Sequence, residues 1–239
     1  MRTLSAHDLA GNSPSGAEPR EPDLRHVEAW IFDLDNTLYP PGSDILKVAE
    51  GRIRGFIENR FGLAPDEAHR LQKACLHEHG STLAGLIRRF GVEPEPYLAF
   101  VNDLDVTTLP PVAGLKEGLS RLPGKRLVFT NNCGRFAERV LGQLGIADLF
   151  DDICDIRTIG FAAKPAISGY RTVVARAGVP AARSAMFEDA ERNLAPAHAL
   201  GMTTVWYSPQ ANAPLPPHVH HSTHDLSQFL HSIEVKPAP

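Results

Sequence analysis

The sequence is short of cysteine, of excess charge of either sign and of long apolar runs, and each shortage excludes a class of protein. Its three cysteines among 239 residues, Cys75, Cys133 and Cys154, show no CxxC spacing and cannot all pair, which argues against a disulfide framework and favours a reducing compartment. With 28 acidic and 24 basic side chains the formal net charge is −4, without the basic excess of nucleic-acid binders. No apolar run approaches the ~20 residues that a membrane span needs. We therefore expect a soluble, cytoplasmic protein whose partner is neither a nucleic-acid polymer nor a membrane.

The first 26 residues also lack large apolar side chains and are rich in glycine, proline and serine. Such a segment buries too little apolar area to offset the entropy cost of ordering it. It also lacks the basic start and apolar stretch of a signal peptide. We expect residues 1–26 to form a disordered leader.

Short apolar runs alternate with longer helical patterns in most of the remaining chain. The runs are strand-length and apolar on both faces, as in buried parallel strands; they cover residues 29–32, 127–129, 185–187 and 203–206. Helical patterns between them stop at Gly145 and Gly178. This alternation predicts an α/β fold, a Rossmann-like doubly wound parallel sheet built from residues 27–40 and 112–235.

Residues 41–111 interrupt the alternation with about four consecutive helical patterns. The first ends near Gly62, the second begins at Pro65, Ser81 can cap the third, and the fourth covers residues 94–101. We expect residues 41–111 to be an inserted helical cap subdomain.

Polar and charged side chains follow the predicted strands where ligands bind to open parallel sheets, at the carboxyl ends. Clustered carboxylates favour binding of Mg²⁺. A lysine and a threonine hydroxyl beside such a metal suit a phosphoryl group, whose charged oxygens need cationic and hydrogen-bonding partners. A carboxylate can also serve as the nucleophile that attacks phosphorus. The side chains are Asp33, Asp35, Thr130, Asn131, Lys164, Glu188 and Asp189.

These residues carry a resemblance to a known family. The segment DLDNT at residues 33–37 resembles the DxDxT motif of the haloacid dehalogenase superfamily, and FTN, KP and ED at residues 129–131, 164–165 and 188–189 resemble its three later motifs, in order. The stretches FDLDNTLYP, HGSTLAGL, FTNN and FEDAERNLAPAHALGMTTVW are similar to the pyrimidine 5′-nucleotidase branch. The chain departs from that branch at His79, Phe136 and Asn102.

The resemblance implies a role for each matching residue in catalysis. Asp33 would attack phosphorus and become phosphorylated, and Asp35 would protonate the leaving oxygen and then activate water. Thr130 and the backbone of Asn131 would hold phosphoryl oxygens, and Lys164 would orient the nucleophile.

The resemblance also implies a Mg²⁺ site. Its ligands would be a carboxylate oxygen of Asp33, the main-chain carbonyl of Asp35, and Asp189. Glu188 would bind the metal directly or through another ligand, and Asn193 would support the acidic loop.

The function that this resemblance implies is a Mg²⁺-dependent phosphomonoesterase acting on a small phosphate ester, with a (pyrimidine) nucleoside 5′-monophosphate as the leading substrate. The cap would present His79, Ser81 and Thr82 to the leaving group. Alternatives on the same core are a phosphoglycolate or sugar-phosphate phosphatase, a phosphomutase, and, more remotely, a non-catalytic binding scaffold. Four C-terminal histidines could bind Zn²⁺ or Ni²⁺, although a surface run explains them better; they are His218, His220, His221 and His224.

Overall fold

A six-stranded, wholly parallel sheet forms the centre of the molecule. The computed structural model describes residues 22–209 and 214–236. In the described residues the strand order is β3-β2-β1-β4-β5-β6, and every neighbouring pair is parallel. The strands are β1 (Ala29–Phe32), β2 (Lys125–Phe129), β3 (Asp152–Cys154), β4 (Ser184–Glu188), β5 (Thr203–Tyr207) and β6 (His221–Thr223).

The chain order explains why the sheet is covered on both faces. From β1 the chain builds outward to β2 and β3 on one side, then returns to β4 and continues to β5 and β6 on the other. Because such crossovers are right-handed, the two directions place their helices on opposite faces. The predicted Rossmann-like α/β fold is confirmed. Its helices are α5 (Leu115–Ser120), α6 (Gly134–Gln143), α7 (Ile167–Ala177), α8 (Leu194–Ala199) and α9 (Leu226–Ser232).

Four helices lie between β1 and α5, where the sequence predicts a cap. The Ser81 hydroxyl oxygen accepts a hydrogen bond from the Ala84 N–H at 3.1 Å, so Ser81 caps the third helix as predicted. The helices are α1 (Asp44–Phe61), α2 (Pro65–His79), α3 (Thr82–Phe90) and α4 (Pro94–Val101). That residues 41–111 act as a separate subdomain stays a prediction.

The predicted leader reaches too far into the chain. Residues 1–21 lie outside the described residues, but residues 22–26 belong to the packed structure. Leu24 is buried, its N–H donates to the Glu234 carbonyl at 2.9 Å, and Asp23 forms a parallel bridge with Glu234. The single large apolar side chain of Leu24, together with this backbone pairing, anchors the segment. Within the described chain, no helix combines the length and apolarity needed to cross a membrane.

Candidate active site

A buried lysine joins two carboxylates at the carboxyl edge of the sheet. The Lys164 ammonium donates to Asp33 Oδ1 and to Glu188 Oε2, each at 2.6 Å, and to the Phe129 carbonyl at 3.0 Å. All three charged side chains are buried, with Lys164 2% and Glu188 1% exposed. An ammonium removed from water requires such partners. The lysine therefore fixes Asp33 and Glu188 in one network.

The sheet topology brings these groups together at its switch point. β1 lies between β2 and β4, so the residues that follow these three strands converge on one crevice. The N–H of Asp33 extends the ladder to the Phe187 carbonyl at 2.9 Å, and the N–H of Thr130 extends it to the Cys154 carbonyl at 3.0 Å. Glu188 is the last residue of β4. The strand order thus brings motifs that are far apart in the sequence close together in the structure.

Three carboxylates in this crevice could hold a metal ion. One oxygen each from Asp33, Glu188 and Asp189 lie within 4.8 Å of one another. The Asn36 amide donates to Asp189 Oδ2 at 3.2 Å, and the Trp206 indole N–H donates to the Asp189 carbonyl at 2.9 Å, which fixes this loop. Because oxygen donors are what hard divalent cations prefer, the donor set fits Mg²⁺.

The electrostatics of the cluster also fit a cation. Burial raises the pKa of Asp33, the Glu188 charge raises it further, and Lys164 opposes both. Burial raises the pKa of Glu188. Burial and the Asp33 charge raise the pKa of Asp189 to about 6. Lys164 offsets one of three negative charges, so a divalent cation would relieve the remaining repulsion.

The carboxyl group of Asp35 belongs to a different environment. It accepts a short hydrogen bond from the Tyr39 hydroxyl and lies at the floor of a cavity, outside the carboxylate cluster. Burial raises the pKa of Asp35, and the hydrogen bond from Tyr39 opposes that rise. A raised pKa favours the protonated form that a general acid needs. The predicted metal contribution of Asp35 concerns its main-chain carbonyl and stays a prediction.

The predicted phosphoryl-binding residues Thr130 and Asn131 follow β2, the strand that neighbours β1 on the side away from β4. Thr130 is buried, and its hydroxyl oxygen accepts from the Asn132 N–H at 3.0 Å. The Asn131 side chain accepts from the Lys164 N–H at 2.7 Å and donates to the Lys164 carbonyl at 3.3 Å. Asn131 therefore ties the loop after β2 to the loop that carries the lysine.

A cavity of about 610 Å³ lies between this floor and helices α1 to α4. Ser81 and Thr82 line it as predicted, but both hydroxyls already serve the fold: Ser81 caps α3, and Thr82 donates to the Gln72 carbonyl at 3.4 Å. Of the described residues, His79 is not among those that line the cavity. Of the three predicted cap side chains, Ser81 and Thr82 therefore line the cavity with hydroxyls that are already hydrogen-bonded, and His79 does not line it.

Sequence reasoning also missed several supporting residues. Tyr39 and Asn36 lie within the FDLDNTLYP stretch, yet their contacts with Asp35 and Asp189 depend on how the loop turns. Asp155 accepts from the Gly134 N–H at 2.9 Å and so anchors the start of α6. Within residues 22–209 and 214–236 no histidine joins a cluster of three possible metal ligands.

Comparison with known proteins agrees with this geometry. Residues 27–201 match the family described as haloacid dehalogenase-like hydrolase. The chain is 32% identical over 201 residues to phosphate metabolism protein 8 of Saccharomyces cerevisiae, covering 77% of this chain and 63% of the yeast protein. It is 33% identical over 78 residues to the glyceraldehyde 3-phosphate phosphatase of Methanopyrus kandleri, covering 30% of this chain and 34% of that enzyme. The chain thus spans less than two thirds of the length of either relative.

A solved structure shares the fold. The HAD-hydrolase YfnB of Bacillus subtilis, bound to magnesium, superposes with a TM-score of 0.56 at 16% sequence identity, covering 86% of this chain and 97% of that one.

Proposed function

Because this chain belongs to the haloacid dehalogenase-like hydrolases, we propose that it is a Mg²⁺-dependent phosphomonoesterase acting on a small phosphate ester, in the first place a (pyrimidine) nucleoside 5′-monophosphate. One observation carries the proposal. Asp33, held by Lys164 at 2.6 Å, lies beside two further carboxylates and close to the floor of a large cavity. The two relatives, one named for phosphate metabolism and the other a phosphatase, support it.

The reaction would proceed in two displacements at phosphorus. A carboxylate oxygen of Asp33 forms a bond to phosphorus while the bond to the leaving oxygen breaks, and Asp35 gives that oxygen its proton. Asp35 then takes a proton from water, whose oxygen attacks the phosphoaspartate. The Asp33–phosphorus bond breaks, releasing inorganic phosphate.

The other residues of the site would hold charge and position. Thr130 and the Asn131 main chain would bind phosphoryl oxygens, and Lys164 keeps the nucleophilic carboxylate oriented. Asp33, Asp189 and the main-chain carbonyl of Asp35 would hold Mg²⁺, and Glu188 would bind it directly or support another ligand; the ion would supply compensating positive charge when bound.

The test measures phosphate release from an aryl phosphate and from UMP and CMP. Asp33→Asn should abolish turnover because an amide is not a competent nucleophile, while Asp35→Asn should lower kcat by roughly 10²–10⁴-fold. EDTA should remove activity and Mg²⁺ restore it. Near-normal turnover by Asp33→Asn, or full activity after exhaustive chelation, would refute the proposal. Formation of an isomer in place of free phosphate would identify a mutase.

A further inference from the structure

Three buried polar atoms without a hydrogen-bond partner lie in residues that line the same cavity. Within the described chain they are Asn36 Oδ1, Ser43 Oγ and Asn102 Oδ1. Leaving a buried polar atom unpaired costs free energy, and most such atoms in proteins have a partner. Their common location indicates that a ligand in the cavity supplies the missing partners.

The amide of Asn102 is held in one orientation. Asn102 is 8% exposed, and its Nδ2 donates to the Leu98 carbonyl at 3.0 Å. Its Oδ1 is therefore the free atom, and an amide oxygen can only accept a hydrogen bond. Gln72, 3% exposed on α2, lines the same cavity with a second neutral amide. The ligand must bring N–H or O–H donors to this wall.

Among the described residues that line the cavity, no unpaired basic side chain is available to a charged leaving group. Of the described residues that line the cavity, Lys47 is the single basic one, and its side chain is 73% exposed and paired with Asp44 at 2.9 Å. Glu50 also lies at the exposed rim, paired with Lys73 at 3.0 Å. A carboxylate or second phosphate on the leaving group would be desolvated without a counter-ion.

Much of the remaining wall is apolar. It includes side chains from α1, α2, α3 and α4, namely Ile53, Leu76, Leu83, Tyr97, Leu98 and Val101. A cavity with apolar walls and a few fixed polar groups suits a ring with apolar faces and a polar edge. A short polyol has no such face.

We propose that the cavity between the floor loops and helices α1 to α4 selects an electrically neutral leaving group that carries a ring and hydrogen-bond donors, and that Asn102 and Gln72 determine this specificity. The proposal rests on the phosphatase function proposed above. It favours a nucleoside over the phosphoglycolate-type alternative, whose leaving group carries a carboxylate.

A substrate panel tests the proposal on the unmodified protein. UMP and orotidine 5′-monophosphate differ by one carboxylate on the base, and glycerol 3-phosphate and 3-phosphoglycerate provide a smaller pair in which a carboxylate replaces a hydroxymethyl group. We expect kcat/KM to be at least roughly 10-fold higher for the neutral member of each pair, and UMP to exceed glycerol 3-phosphate. Equal rates within both pairs would overturn the charge argument.

Variants test the residue assignment. Asn102→Leu and Gln72→Leu should each lower kcat/KM for UMP about 3- to 10-fold, the loss of one hydrogen bond, and should lower it less for the aryl phosphate, whose ring brings no hydrogen-bond donor to these amides. Gln143→Leu is the matched control, because this amide binds the Leu109 carbonyl at 3.1 Å away from the cavity. Gln72→Lys should shift the preference toward carboxylate-bearing esters.

The outcomes separate the two proposals. If no ester, including the aryl phosphate, is hydrolysed, the phosphatase function itself fails. If the aryl phosphate is hydrolysed but Gln72→Lys leaves the charge preference unchanged and Asn102→Leu affects every ester equally, the specificity assignment is wrong. Thermal unfolding shows whether each variant still folds. If a variant does not fold, the substrate panel on the unmodified protein still tests whether the cavity discriminates against a charged leaving group.

Discussion

At the scale of single residues, the Tyr39 hydroxyl orients the carboxyl group of Asp35. Tyr39 is 1% exposed, and burial raises the pKa of its phenol, so the hydroxyl stays protonated and donates. The Asn132 side chain also acts on Asp35, lowering the pKa of its carboxyl group. The bond from Tyr39 therefore holds the Asp35 carboxyl group at the cavity floor before substrate binds. If Asp35 is the general acid proposed above, such pre-organisation places it within reach of the leaving oxygen.

We therefore predict that Tyr39→Phe lowers kcat on an aryl phosphate by roughly 10-fold, as expected for a lost hydrogen bond to a charged group, while KM stays within about twofold. Steady-state kinetics measures the effect, and a thermal unfolding curve checks that the buried ring still packs. An unchanged kcat would show that Asp35 needs no support from Tyr39.

The sequence alone predicts which residues meet at the site but not how their neighbours hold them. Asp33 and Glu188 could be placed together because parallel strands deliver their carboxyl ends to one edge. The bond from Asn36 to Asp189 could not, because it depends on the left-handed backbone of Asn36, with φ of 61°. Asparagine tolerates that conformation, but the sequence does not specify it.

At the scale of secondary-structure elements, Gly80 sets how closely α2 approaches the lysine loop. It ends α2 with φ of +79°, and a Cβ there would stand 2.2 Å from the Lys164 carbonyl oxygen. The Asn131 amide also donates to the Gly80 carbonyl at 3.5 Å. The end of α2 and the loop that carries Lys164 thus touch through backbone atoms, which cannot rotate away as a side chain can.

We predict that Gly80→Ala lowers kcat/KM by at least about 10-fold, because the methyl group forces the helix end away from the loop. Gly62→Ala is the matched control: Gly62 also ends a helix of this region, with φ of +65°, and a Cβ there meets nothing within 4 Å. It should cost about 1–2 kcal/mol of stability and leave kcat/KM unchanged. Equal kinetic effects of both substitutions would show that backbone strain at a positive φ, and not the contact with the Lys164 loop, lowers kcat/KM.

Element length explains which helices and strands could be predicted. The span predicted for α4 (Pro94–Val101) and the end predicted for α7 (Ile167–Ala177), before Gly178, match the structure, since the apolar spacing of each helix covers two or more turns. The strand β6 (His221–Thr223) and the helices α8 and α9 were not predicted. The three residues of β6 are all polar, so no apolar run marks this strand, and α8 and α9, with six and seven residues, are each shorter than two turns and show no helical period.

At the scale of the whole molecule, an exposed ion pair links helix α4 to the sheet. Arg157, which follows β3, donates from Nε to Glu95 Oε1 at 2.8 Å and from Nη2 to Glu95 Oε2 at 2.7 Å. Arg139 of α6 donates to the Asn102 carbonyl at 3.2 Å nearby. If the helices of residues 41–111 move as a cap, these contacts favour the closed position.

We predict that Glu95→Gln raises KM about 2- to 3-fold, because an exposed pair contributes about 0.5 kcal/mol and the closed, binding-competent population falls accordingly. Stability should change little. Asp152→Asn is the matched control, since Asp152 of β3 and Arg176 of α7 form a similar pair, at 2.6 and 2.9 Å, that does not involve helices α1 to α4.

Raising the ionic strength from about 0.05 M to about 0.5 M screens both ion pairs, Glu95 with Arg157 and Asp152 with Arg176. It should therefore bring the KM of the unmodified protein toward that of Glu95→Gln, narrowing their ratio, while the ratio to Asp152→Asn stays constant. A KM that rises equally in Glu95→Gln and Asp152→Asn would mean that the pair does not govern closure.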